Sequence, residues 1–149
     1  MKYEKVDLEE VKTKDILLAV TFTKKQVYMV SEKAWEVIQT IQKKERFPFF
    51  AGIYIGDMIK DKYYPSISAG DYLKLKKVKV KDDALMKFTY GRDIQNRDII
   101  QKEGELREMV RVVNKDNEFV GLGYIREFGI KRVADIGEYL RLEKRKNQN

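Results

Sequence analysis

Lys131 and Arg132 stand side by side between Ile130 and Val133, in a run whose apolar residues mark a strand. Neighbouring strand side chains point to opposite faces, so one of the two cations must face outward, where it can clamp a phosphate. A second set, Lys87, Tyr90 and Arg92, surrounds the end of a short helical pattern. An aromatic ring there can stack on a base, and an arginine can pair a phosphate. Arg141, Lys144, Arg145 and Lys146 make the tail basic, and Lys74, Lys76, Lys77, Lys79 and Lys81 run along one stretch. Each set also has a plainer reading. Lys131-Arg132 is then charge that blunts a strand edge, Tyr90 a core residue with its hydroxyl at the rim, and the basic tail simply solvated. For the lysine row the plainer reading, an edge strand protected from pairing, leads.

The chemistry open to the chain is narrow. Its 149 residues include no Cys and no His, which removes disulfides, thiolate zinc sites, histidine bases and the nucleophile pairs that depend on them. No catalytic residue, metal site or cofactor is expected, and no small-molecule substrate. A net charge of +7 favours a polyanionic partner, most simply nucleic acid. Divided at Val78, the chain carries 15 basic against 11 acidic residues and then 16 against 13, so bulk charge does not single out a binding half. No run of 18 apolar residues suggests a membrane span, and the N-terminus does not read as a signal peptide; a cytoplasmic monomer is expected.

Elements must position these residues. Ile16–Phe22 and Gln26–Val30 read as a hairpin turning at Lys24-Lys25, and Ser31 as the N-cap of a helix from Glu32 to Lys43. Ala34, Trp35, Val37, Ile38 and Ile41 make its apolar face. Phe49–Ile55 and Tyr63–Ser68 read as strands, with Ala69-Gly70-Asp71 a turn; Tyr63 and Tyr64 beside Pro65 are candidates for an aromatic protein contact. Apolar and lysine residues alternate from Tyr72 to Lys81, and the phase slip at Lys76-Lys77 divides the chain into residues 1–77 and 78–149. Asp82 or Asp83 caps a helix from Ala84 to Tyr90, ended by Gly91, with Leu85 and Phe88 inward. Strands at Ile94, Ile99-Ile100, Val110–Val113, Phe119–Ile125 and Ile130–Val133, with a turn at Asn114–Asn117, argue for a small closed β-barrel-like module. Gly121-Leu122-Gly123 lies inside a strand without helix signals after it, so it serves packing rather than nucleotide binding. Asp135-Ile136-Gly137 reads as the closing turn, with Asp135 turned onto backbone amides.

Five segments, taken in order, carry a resemblance: Val27–Lys33, Ile67–Leu73, Phe88–Ile94, Val120–Tyr124 and Ala134–Arg141. Together they resemble a ribosome-biogenesis family known in eukaryotes as a nuclear import protein (number seven) of large-subunit assembly. The resemblance implies an α+β chain, with a small N-terminal α/β domain for protein contacts and a C-terminal PUA pseudo-barrel for RNA. It implies a non-catalytic, archaeal-type factor that binds single-stranded or looped, U- or A/U-rich pre-rRNA. Pre-ribosomal assembly factors and the exosome are the implied partners. Lys131, Arg132, Arg141, Lys87, Tyr90, Arg92, Lys144 and Arg145 are the implied RNA contacts. Where such domains carry a glycine-containing loop, Gln95–Lys102 is charged and glycine-free. The alternative is an adaptor that docks on an RNA machine and uses its PUA fold structurally. An RNA-modifying enzyme ranks last, because the catalytic domain of such enzymes alone exceeds this chain.

Overall fold

The computed structural model describes residues 2–21, 23–46 and 52–137. The chain forms two compact units, Met1–Glu9 with Thr13–Leu73, and Glu10–Lys12 with Lys74–Asn149. Among the described residues, no helix is long and apolar enough to cross a membrane.

Among the described residues, the first unit is a five-stranded antiparallel sheet in chain order: β1 (Glu4–Lys5), β2 (Ile16–Thr21), β3 (Lys25–Val30), β4 (Ile53–Ile59) and β5 (Lys62–Pro65). Helix α1 (Glu32–Lys43) starts where expected: the Ser31 hydroxyl oxygen accepts the Ala34 N–H at 3.1 Å, with Glu32 in the first turn and Lys43 in the last. Ile38 buries against Tyr3, Leu18, Val20 and Val30, while Ala34 and Trp35 pack at the margin. Val37 instead faces solvent, because the stripe runs 34-35-38-41-42 and leaves it one flank too far round.

One strand reading and one turn reading shift. The strand read at Phe49–Ile55 is β4, which runs Ile53–Ile59; residues 47–51 lie outside the described residues. Ala69-Gly70-Asp71 is not a simple turn but opens a one-turn helix, α2 (Ala69–Tyr72). The carbonyls of Ser66, Ile67 and Ser68 accept the N–H groups of Ala69, Gly70 and Asp71 in succession, which winds this segment against the sheet.

Among the described residues, the second unit forms a six-stranded sheet with a short helix after its first strand. Its elements are β6 (Lys77–Val80), α3 (Asp82–Phe88), β7 (Ile94–Gln95), β8 (Ile99–Lys102), β9 (Met109–Val113), β10 (Phe119–Arg126) and β11 (Gly129–Asp135), in sheet order β7-β11-β10-β9-β6-β8. β7 and β8 stand at opposite edges, yet only the 3₁₀ turn Asn96–Asp98 separates them in the chain. The sheet must therefore curl until its edges nearly meet, a nearly closed pseudo-barrel. Val78, Val80, Leu85, Phe88, Ile94, Val110, Val112, Ile125 and Ile130 fill it. The glycine-free stretch Gln95–Lys102 is this edge-to-edge link.

Helix α3 begins two residues earlier than the sequence suggests. Lys81 occupies the cap position and donates its N–H to Asp98 O at 3.0 Å, and both Asp82 and Asp83 lie in the first turn. Carboxylates there favour the free N–H groups of the helix start without capping them. The lysine row is not one long strand: only Lys77–Val80 is strand, Lys76 pairs with Glu108 at 3.6 Å, and Lys77 Nζ donates to Asn117 Oδ1 at 3.2 Å.

Three tyrosines of the first unit respond to pH together. Tyr3, Tyr28 and Tyr54 meet edge-on, with ring centroids 6.4 and 5.9 Å apart, and the Tyr54 hydroxyl donates to Asp57 Oδ1 at 2.7 Å. Burial first, then that bond and the Asp57 charge, pushes the Tyr54 phenol up; burial also raises Tyr3 and Tyr28. A pKa raised by folding means stability that is complete below the unfolded value of about 10 and lost as pH climbs through the folded value. Urea midpoints should therefore stay level up to about pH 9 and fall from about pH 10 upward, and Tyr54→Phe should shrink that fall. An identical pH profile in the variant would remove Tyr54 from the account.

Candidate nucleic-acid interface

The interface grows from the end of α3. Ala84, Leu85 and Phe88 bury one side of this helix, which turns Met86 and Lys87 to solvent. The helix ends in a left-handed glycine: Gly91 has φ +98°, its N–H donates to Phe88 O at 2.9 Å, and the Arg92 N–H donates to Lys87 O at 3.1 Å. A Cβ at Gly91 would meet no atom, so the backbone angle alone calls for glycine. The turn leaves Tyr90 74% exposed and Met86, one helical turn before it, 68% exposed. Tyr90 is thus no core residue. Its ring stands in water with Lys87 and Arg92, both exposed, on either side in the chain.

Asp93 ties this corner to β11. Its Oδ1 accepts the Arg132 backbone N–H at 2.8 Å, closing a sequence gap of 39 residues. The bond brings the exposed Lys131 alongside the α3 corner. Among the described residues, no ion pair involves Lys87, Arg92 or Lys131. These three cations and one bare aromatic ring lie on the α3 corner and on the strand that Asp93 ties to it.

Arg132 does something different. Its guanidinium Nε donates to Oδ2 of Asp135, a carboxylate with no solvent exposure. In a regular strand, residues three apart point to opposite faces. Here β10 and β11 slip register: Leu122 pairs with Ala134 and Gly123 with Arg132, leaving Val133 as an extra residue. That bulge resets the phase and puts Arg132 and Asp135 on one side. Asp135 ends β11 and engages the Arg132 side chain, a partner that the sequence did not suggest.

The other expected contacts lie elsewhere. Arg141, Lys144 and Arg145 fall outside the described residues. Tyr63 and Tyr64 belong to β5 of the first unit; the Tyr63 hydroxyl donates to Ile55 O at 2.6 Å, whereas Tyr64 is 46% exposed with Lys62 Nζ 5.4 Å from its ring centre. Sequence reasoning missed Met86 and Asp93. Met86 was within reach, because inward Leu85 and Phe88 leave 86, 87 and 90 on the outer side; the Asp93 brace carries no sequence signal.

A cleft of about 450 Å³ opens at the loop tips of the second unit, lined by Glu10, Leu106, Arg107, Arg126, Glu127 and Phe128. Arg126 lies 3.7 Å from Glu10, which also accepts from the Tyr124 hydroxyl; burial and then that carboxylate raise the Tyr124 pKa. Two acids against two arginines give no net positive field, so phosphate favours the α3 corner over this cleft. Among the described residues, no group of three or more acidic side chains is placed to hold a metal.

The two adjacent cations of β11 should separate experimentally. Arg132→Ala removes the guanidinium that faces the fully buried Asp135 carboxylate and should cost about 3 kcal/mol in urea denaturation. Lys131→Ala should stay within about 0.5 kcal/mol of the unaltered protein. Equal losses would show that the Arg132–Asp135 pair does not hold β11.

Comparison with known proteins agrees with this architecture. The family model described as the UPF0113 PUA domain matches residues 76–144. No curated protein shows a significant match. Among solved structures, a conserved PUA domain protein from Thermoplasma acidophilum superposes with TM-score 0.50 at 14% identity, covering 87% of this chain and 82% of that one. A PUA domain from Aeropyrum pernix K1 gives TM-score 0.49 at 15% identity over 93% and 77% of the two chains. A hypothetical protein from Pyrococcus horikoshii OT3 gives 0.48 at 15% over 82% and 75%. The nearly closed barrel, the family match over residues 76–144 and the first of these likenesses agree on the architecture: the second unit has the fold of a PUA domain.

Proposed function

We propose that this protein is a non-catalytic RNA-binding factor whose PUA domain takes single-stranded or looped RNA at the α3 corner. PUA domains generally bind RNA, and the match over residues 76–144 supports that reading for this chain. Tyr90 is the observation that carries it. A ring 74% exposed, set among Lys87, Arg92 and Lys131, is costly to leave in water and well suited to stack on a base while cations hold the flanking phosphates. Single strands are favoured over duplex, because an A-form major groove is too narrow for side chains to read.

The finer assignment rests on the five ordered segments described above. On that reading the RNA is pre-rRNA of the large subunit, the setting is cytoplasmic ribosome assembly, and the partners include assembly factors and the exosome.

Filter binding of a U-rich oligonucleotide to the full chain tests the site. Tyr90→Ala should cost about 1–3 kcal/mol in affinity and Tyr90→Phe almost nothing, since stacking needs the ring and not the hydroxyl. Lys87→Ala, Arg92→Ala and Lys131→Ala should each lower the log–log salt slope by about 0.7. Affinity and slope unchanged in the combined variant would reject the α3 corner as the RNA site.

A further inference from the structure

The first unit carries a groove between β1 and α1 that the RNA reading does not use. Strand β1 pairs with β2 on one side only and forms the sheet edge. The Val6 N–H donates to Leu17 O at 2.9 Å, toward β2. Backbone groups alternate along a strand, so the N–H and C=O of Tyr3 and Lys5 point the other way, to the open edge. At Tyr3 that edge is already occupied by a mimic of a strand. The Gln42 side-chain amide of α1 accepts the Tyr3 N–H at 2.6 Å and donates to Tyr3 O at 3.3 Å. At Lys5, two residues further on, the residue is exposed, and among the described residues no hydrogen bond fills the same outward pair.

The groove beside this edge has a volume of about 450 Å³ and a marked charge. Lys2, Lys5 and Lys43 line it, against the single acid Glu4. Lys2 lies 3.9 Å from Glu4, a pair too exposed to neutralise much, and no ion pair among the described residues involves Lys5 or Lys43. Half-buried Trp35 gives the groove an apolar wall.

We infer that this groove docks an extended acidic polypeptide segment, which joins the sheet as a strand at the outer edge of β1. Unpaired backbone donors and acceptors fit a polypeptide and have no counterpart in a sugar-phosphate chain. The lysines select acidic side chains, and Trp35 takes one apolar side chain between them. The Tyr3–Gln42 bonds set the register by closing the edge on one side, so pairing begins at Lys5. This site is separate from the α3 corner and stands or falls without it.

Trp35 is the chain's one tryptophan, so its emission reports occupancy of the groove. The probe is a synthetic peptide of about ten residues that alternates Asp and Val, titrated into the full chain. Saturable change in Trp35 emission is expected, with slowed hydrogen exchange at the Lys5 amide. Lys5→Pro removes the outward N–H, which an edge strand tolerates, together with the Lys5 charge, and should weaken binding about tenfold or more. Lys43→Glu, on the exposed end of α1, should do the same and guards against a misfolded Lys5→Pro. The proposal is overturned by an unchanged emission, by equal affinity of the unaltered chain and both variants, or by a Lys5 amide that exchanges as fast with peptide as without. Saturable quenching of Trp35 by U-rich RNA that displaces the peptide would assign the groove to nucleic acid instead.

Discussion

The packing of Phe88 against Gly121 is the contact on which the second unit depends. A Cβ at position 121 would lie 2.6 Å from Phe88 Cε1 and 2.4 Å from Ala134 O, so any larger residue would drive α3 off the barrel or open β10 from β11. Overpacking of this kind costs about 1–3 kcal/mol in a well-filled core. With glycine there, the fully buried Phe88 ring enters the core and pins the last turn of α3. Everything at the candidate interface follows from that pin. The helix must end directly after Phe88, the chain reverses at Gly91, and Tyr90, caught on the outside of the reversal, has no core left to join.

Lys131 and Arg132 show how one strand gives neighbouring cations different work. Strand alternation alone already separates their directions. The bulge at Val133 then decides what Arg132 meets, placing the buried Asp135 carboxylate on its side. A desolvated carboxylate needs such a partner, since an unpaired buried charge costs several kcal/mol. Arg132 therefore supports β11 from within, while its backbone N–H holds Asp93 and with it the corner that carries Arg92. Lys131 has neither tie and keeps its charge for solvent or a ligand.

Much of this was legible in the sequence, for local reasons. Ser31 and the 3.6-residue stripe after it locate α1; the alternation in Val110–Val113 and Phe119–Ile125 locates β9 and β10. The glycines of β10 read correctly as packing glycines, and Lys87, Tyr90 and Arg92 fall where a helix end exposes side chains. What stayed hidden depends on contacts distant in sequence. The lysine row looked like a strand because alternation is blind to whether a partner strand is present, and β6 finds partners only at Lys77–Val80. The Arg132 partner of Asp135 stayed hidden because Asp-Ile-Gly is only a local turn signal, and no local signal reports the bulge that places the two side chains together. Asp82 and Asp83 looked like caps because the hydrogen bond from Lys81 to Asp98, beside the helix start, joins residues distant in sequence where β6 meets β8.

The most direct test of the RNA account is a zero-length photocrosslink between the full chain and a U-rich oligonucleotide carrying 4-thiouridine at successive positions, with the attached peptide identified by mass spectrometry. Stacking on an exposed ring predicts a dominant adduct at Tyr90 itself, accompanied by weaker adducts within the peptide that contains Lys131. Adducts confined to the first unit, or spread without preference over the lysines of both units, would contradict it.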